Sequence, residues 1–203
     1  MADFIRFFIP SYFLLFFTIS FLGISVKVAK QIGKNPNVLP RDGSAYALVG
    51  LYFKLILLAL FAYVMLLLWF PESVFPAFKI QLLEYPFFQY TGLILMITAF
   101  VWVVIAQIQM KDSWRIGIDI EMKTKLVTHG LFRFSRNPIF LGMIISLIGF
   151  FLVFPTIIAL FFLLMGSILI QIQIRLEEEY LIKEHGEIYQ TYKKRVKRML
   201  NLY

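Results

Sequence analysis

The sequence predicts an all-α, polytopic membrane protein of about five transmembrane helices, with the last two forming a tight helical hairpin and a helical segment following at the cytoplasmic face. Three observations carry this reading. Sixty per cent of the 203 residues are hydrophobic and 16% are charged, too much apolar side chain for the core of a soluble domain of this size. The apolar residues fall in runs long enough to cross a hydrocarbon core, which takes roughly 20 helical residues. Most of the charged residues fall between those runs, and the basic ones gather in every second loop and the tail.

The first apolar stretch runs from Phe4 to Val26, with Pro10 and Ser11 placed to kink it near one end. Met1 to Ile9 holds one Arg and no basic leader, so this stretch is expected to be a span and not a cleaved signal. A polar loop, Lys27 to Gly43, carries turn signals at Gly33, Asn35-Pro36 and Asp42-Gly43. The second span is Ser44 to Phe70. Lys54 lies inside it, close enough to the basic loop to snorkel back as an anchor. A short loop from Pro71 to Pro86 leads to a third span, Phe87 to Met110, and then to the longest polar stretch, Lys111 to Asn137. Pro138 opens a fourth span ending near Phe154, with Asn137 as its cap. Pro155-Thr156 turns the chain into a fifth span ending near Ile174, and the tail from Arg175 to Tyr203 is charged and helical in pattern. Nothing divides the chain, so residues 1–203 read as a single integral membrane domain.

Lys27, Lys30, Lys34 and Arg41 make the first loop basic; Lys111, Arg115, Lys123, Lys125, Arg133 and Arg136 do so for the third. The tail adds Lys183, Lys193, Lys194, Arg195, Lys197 and Arg198, whereas the second loop has one Lys and two Glu and the fourth has no charge. With five spans, the basic loops and the tail all face the cytoplasm, which puts the N-terminus outside and the C-terminus inside. The net charge of +8 then reports loops facing anionic lipid, and no nucleic-acid partner is expected. With no Cys and 2 His, disulfides, thiolate chemistry and a metal site are not expected. There is no P-loop, no GxGxxG after a strand and no HExxH, so a cofactor would have to bind among helices and loops at the membrane face.

Three polar segments converge on that face: Met110 to Asp119, Leu126 to Pro138, and Arg175 to Tyr180 with the helix beyond it. The run Glu177 to Glu179 is not explained by topology, because acidic residues contribute little to orientation. At helical spacing Arg175, Glu178, Ile182, His185, Tyr189 and Tyr192 share one face, and Arg175 and Glu178 are spaced to pair. Gly186 interrupts this face as a break between two helical pieces. A solvated, salt-bridged surface helix would give the same pattern.

The stretch Leu126-Val-Thr-His-Gly-Leu-Phe-Arg-Phe-Ser-Arg-Asn-Pro-Ile-Phe-Leu-Gly142 resembles the LVxxGxYxxxRHPxYxG signature of the isoprenylcysteine carboxyl methyltransferase and phospholipid methyltransferase superfamily. Glu178-Glu179, Ile182, Gly186, Tyr189, Tyr192 and Val196 resemble its second signature, one helical hairpin further on. Trp114 to Asp119 looks like bacterial members. The resemblance covers residues 107–200, the part expected to be catalytic. It implies S-adenosyl-L-methionine as methyl donor and an amphiphilic or lipophilic acceptor entering from membrane lipid. It also implies a cofactor site at His129, Gly130, Leu131, Arg136, Asn137 and Pro138, with Glu178 and Glu179 beside them and Tyr189 and Tyr192 closing it. Asn137 and Phe140 stand where the family has His and Tyr, and Leu200-Asn201 where it has Pro; these departures bear on the acceptor more than on the donor.

Methyl transfer from a sulfonium is an in-line displacement that needs alignment and a place for charge. Glu178, His129 or His185 could take a proton from an amine, phenol or thiol acceptor, and Arg175 or Arg136 could hold an anionic group. A lipid or sterol-type reductase using a nicotinamide cofactor is the second enzyme reading, and a small transporter or assembly protein the non-enzymatic one.

Overall fold

The computed structural model describes residues 2–40, 42–74, 78–117 and 124–200. Arg41, Asp119, Lys123 and Asn201, which enter the sequence reading above, lie outside them. The described residues are helical, with isolated β-bridges between loops and no strand. Five apolar helices form: α1 (Ala2–Ile32), α2 (Ala45–Trp69), α3 (Pro86–Met110), α4 (Pro138–Val153) and α5 (Ile157–Arg195). All but α4 are long and apolar enough to cross a membrane, as befits a multi-pass protein. The 16 residues of α4 make about 24 Å of helix, less than a hydrocarbon core of about 30 Å.

The helix boundaries follow local chemistry. Ser44 caps α2 by accepting from the Ala47 amide at 3.2 Å, and Thr156 caps α5 by accepting from the Ala159 amide at 3.1 Å. Pro86 and Pro138 open α3 and α4, where a missing amide proton costs nothing. The expected kink at Pro10 is not where α1 departs from α-geometry. That happens at Thr18–Gly23, one turn of π-helix, where the Ser20 carbonyl accepts from Gln107 Nε2 at 2.7 Å. Helix α5 runs past the expected end near Ile174, and Gly186, at φ 53°, is non-helical as the sequence suggested. The piece before Gly186, residues 157–185, makes about 44 Å of helix, longer than a hydrocarbon core of about 30 Å, so its later turns are long enough to project past one.

Packing is tightest between α3 and α4, which run antiparallel. Gly92 meets Gly149 backbone to backbone: a Cβ on Gly92 would stand 2.6 Å from the Gly149 oxygen, and one on Gly149 would stand 2.7 Å from the Gly92 oxygen. Glycine at both positions lets the backbones touch, a common solution where lipid supplies no hydrophobic drive between helices. The core around Ile9, Val64, Leu67, Met96 and Phe150 is apolar, and the hydroxyls of its two tyrosines are paired. Tyr12 donates to the Met96 carbonyl at 2.9 Å and bonds Ser146, and Tyr63 bonds Thr156 at 3.0 Å.

Loop contacts order the two ends of the bundle. At one end the first and third loops join, Val38 donating to the Ile116 carbonyl and Ile116 to that of Pro36. At the other end Ile80 donates to the Pro155 carbonyl and Ile157 to that of Phe78, tying the second loop to the α4–α5 turn.

Candidate active site

The later half of α5 presents its glutamates to three different surroundings, because successive residues turn about 100° around a helix. Glu179 is exposed, Glu177 is half-buried, and Glu178 is 3% exposed. The expected Arg175–Glu178 pair does not form. Arg175 is exposed, and its Nη1 donates back along the helix to the Gln171 carbonyl at 2.7 Å.

Glu178 is bridged by two other arginines. Its Oε1 accepts from Arg136 Nε at 3.1 Å and Nη2 at 2.7 Å, and its Oε2 accepts from Arg198 Nε and Nη2 at the same two distances. The Glu178 and Arg136 side chains are 4% and 7% exposed, whereas Arg198 closes the cluster from the rim at 34%. Burial pushes the Glu178 carboxyl up, but the hydrogen bonds from Arg198 and Arg136 and their charges outweigh it and hold the group below its ordinary range. Glu178 is therefore a carboxylate with both oxygens occupied.

The cluster joins three segments of chain. Arg136 Nη1 also donates to the carbonyls of Lys193 and Val196, and the Arg136 amide donates to that of Lys197 at 3.1 Å. Asn137 Nδ2 donates to the Arg198 carbonyl at 3.0 Å. Asn137 thus sits at the N-cap of α4 without capping it through its side chain, which reaches the tail instead. Tyr192 donates to the Phe132 carbonyl at 2.7 Å, and Tyr189, 1% exposed, packs edge-on against Tyr192 with Leu126 alongside. The loop from Leu126 to Pro138, the end of α5 and the segment Lys193 to Arg198 are one unit.

Helix α3 supports this unit from below. Gln109 Oε1 accepts from the Leu131 amide at 2.8 Å, and Trp102 Nε1 donates to the Pro138 carbonyl at 2.9 Å. Gly130, at φ 60°, lies against the Gln109 amide so closely that a Cβ would stand 2.4 Å from it. His129 is exposed at the mouth of this turn, while His185 Nε2 is buried with no hydrogen-bond partner among the described residues. A second polar cluster borders the first: Gln173 Nε2 donates to the Tyr46 hydroxyl and to Glu177 Oε1, both at 2.8 Å. Glu177 is thus tied through Gln173 to Tyr46 of α2.

The structure brings together Arg136, Asn137, Pro138, Glu178, Tyr189 and Tyr192, with the backbone of Gly130 and Leu131 beside them on Gln109. It leaves Arg175 and Glu179 facing outward. Sequence reasoning missed Arg198, Gln109 and the Tyr46–Gln173–Glu177 set. Arg198 lies past the Gly186 break, after Val196 has turned extended (φ −120°, ψ 132°), so no helical spacing relates it to Glu178. Gln109 and Gln173 are single polar residues near span ends, and only their partners distinguish them.

A family model described as phospholipid methyltransferase matches residues 87–188, half of the chain. The match runs from the start of α3 to just beyond Gly186 and so contains Arg136 and Glu178, while Tyr192 and Arg198 lie past its end. No curated protein matches the sequence.

Proposed function

The chain belongs to the phospholipid methyltransferase family, and on that premise we propose that it moves the methyl group of S-adenosyl-L-methionine to a lipophilic or amphiphilic acceptor drawn from the bilayer. The observation that carries the reading is the buried Arg136–Glu178–Arg198 cluster, which fixes the signature loop against the end of α5. The residues around it suit such a donor. His185 Nε2 is a buried nitrogen still able to bond, Glu179 is an outward carboxylate able to meet an ammonium or ribose, and His129 stands at the loop's mouth. When bound, the donor supplies a methyl group made electrophilic by its sulfonium.

The protein's own part is placement. Gln109 and Trp102 hold the turn from Gly130 to Pro138 at a fixed height above α3. Glu178 and Arg136, each already saturated by protein partners, act as positioning residues. Glu179, His129 and His185 are the groups left to contact donor and acceptor, and of these His129 or His185 takes the proton that an amine or hydroxyl acceptor must lose. Arg175, exposed at the rim, is free to meet an anionic part of the acceptor. The catalytic part is residues 107–200 of one membrane domain.

Calorimetry of the purified protein tests this. S-adenosyl-L-methionine and its demethylated product should bind, and reduced nicotinamide cofactors should not. Arg136→Ala and Glu179→Ala should each weaken donor binding at least about tenfold, or about 1.4 kcal/mol. Nicotinamide binding in place of the sulfonium compound would turn the reading to a reductase, and native affinity in both folded variants would remove the site.

The same reading places the cluster in the cytoplasm, with five crossings and the N-terminus outside. With no Cys in the chain, single cysteines report cleanly. Ser73→Cys and Leu82→Cys, both at exposed positions, should react with an impermeant thiol reagent added outside. Asn35→Cys and Lys194→Cys should not, and outside labelling of Lys194→Cys would invert the topology.

A further inference from the structure

Glu177 lies just outside the second signature, in the run Glu177 to Glu179, and its surroundings differ from those of both neighbours. Glu178 is closed by two arginines and Glu179 faces outward, whereas Glu177 is half-buried where α5 packs against the start of α2. Gln173, 6% exposed and one turn earlier, makes that contact polar. Its Nε2 serves two partners at once, the Tyr46 hydroxyl and Glu177 Oε1, both at 2.8 Å. A primary amide has two protons to give, so this one group is fully used in holding Glu177 to α2.

The layer contains a carboxyl and no cation. Among the described residues no ion pair reaches Glu177. From α2 the facing group is the Tyr46 phenol, and Lys54 lies eight residues on, about 12 Å along the helix. In the loop before α2, Asp42 is bonded by Ser44. The 16 residues of α4, which also packs on α5, include no titratable side chain. On α5 itself Arg175 turns back to Gln171, Glu178 is closed by Arg136 and Arg198, and Tyr180, one turn on, is a phenol. Burial therefore pushes the Glu177 carboxyl up to about 7, and the Gln173 bond offsets only part of it.

We propose that Glu177 is a proton-dependent positioning residue: protonated, it holds Gln173 and through it the start of α2 against α5; ionised, it turns to water and releases them. A neutral carboxyl suits a half-buried place with one donor, whereas an anion there has too few partners. The carboxyl binds its proton more tightly in the packed arrangement than in water, where its ordinary value is 4.5. The preference for packing is thus fully present below 4.5, falls as pH rises, and is lost above about 7. Glu178, the next residue, carries the Arg136–Glu178–Arg198 cluster, so one turn of α5 sets both the start of α2 and the signature loop. The effect on turnover rests on the methyltransferase reading; the movement of α2 does not.

The test compares the full parent chain in nanodiscs with Glu177→Gln, which keeps an acceptor for Gln173 and cannot ionise. Amide hydrogen exchange is followed over residues 44–52, with the two chains always at the same pH so that intrinsic rates cancel. At about pH 5.5 the two should exchange alike; at about pH 8 the parent should exchange at least about fivefold faster. Gln173→Leu, which removes the link itself, should exchange fast at both. Equal exchange of parent and Glu177→Gln at the higher pH would overturn the proton dependence, and slow exchange in Gln173→Leu would overturn the link. The turnover of Glu177→Gln relative to the parent should be near one at the lower pH and rise several-fold at the higher. A ratio that stays at one while the exchange rates differ would overturn the positioning role. Absence of methyl transfer from both chains would strike the methyltransferase reading, and the exchange difference would still establish the proton-dependent contact.

Discussion

Glu178→Gln is expected to cut methyl transfer at least about a hundredfold, equivalent to about 2.7 kcal/mol of barrier, in protein that still inserts and folds. The neutral amide removes the anion that two guanidiniums share, yet leaves both of them in place, one of them buried. Breaking a buried ion pair by deleting one partner costs about 3–5 kcal/mol, because the surviving charge is left uncompensated. Arg136 can relieve that cost only by leaving its pocket, which releases the Lys193, Val196 and Lys197 carbonyls it holds. The variant should therefore show a second change that a purely chemical role would not produce: faster tryptic cleavage at Lys193 to Lys197. Arg198→Ala removes the rim arm alone and should cost about tenfold, in line with its greater exposure. Full turnover together with an unaltered tryptic pattern in Glu178→Gln would refute the cluster as the element that shapes the site.

Gly149→Val is expected to cost about 3 kcal/mol or more, above the usual range for overpacking, because the obstacle is backbone. Even a single Cβ at residue 149 would stand 2.7 Å from the Gly92 oxygen and 3.0 Å from the Met96 amide nitrogen, neither of which can rotate away. The two helices must separate along their whole contact. Trp102 and Gln109, which hold the signature loop from α3, would move with them, so activity should fall along with the melting temperature. Gly43 provides the comparison: it has open space where its Cβ would be, and Gly43→Ala should stay within about 0.5 kcal/mol of the parent. Equal melting temperatures for Gly149→Val and the parent would show that α3 and α4 are not in backbone contact.

Much of the fold was legible because it rests on local properties. Long apolar runs become helices in lipid, prolines at 86 and 138 open two of them, and Gly186 breaks the last. Glu178 was legible as a residue but not in its partnership. Helical spacing offered Arg175, one turn away, whereas the structure supplies Arg136 from a loop 42 residues earlier and Arg198 from beyond a break 20 residues later. Such pairings follow from where whole segments come to rest, and periodicity carries no information on that. The boundary between α4 and α5 was visible in Pro155-Thr156, but the closest helix contact, α3 with α4, depends on two glycines 57 residues apart that have no spacing in common.

The cluster also fixes an order of events during biogenesis. Arg136 is synthesised first, then Glu178, and Arg198 only 20 residues later. At about 5–20 residues per second, one to four seconds separate the synthesis of Glu178 from that of Arg198. Helix α4 and the part of α5 before Glu178 are already made at the start of that interval, while Arg198 is still to come. Insertion and maturation are therefore separable: a nascent chain can be correctly threaded before Arg198 has closed the cluster, with that end of the bundle still open to proteases.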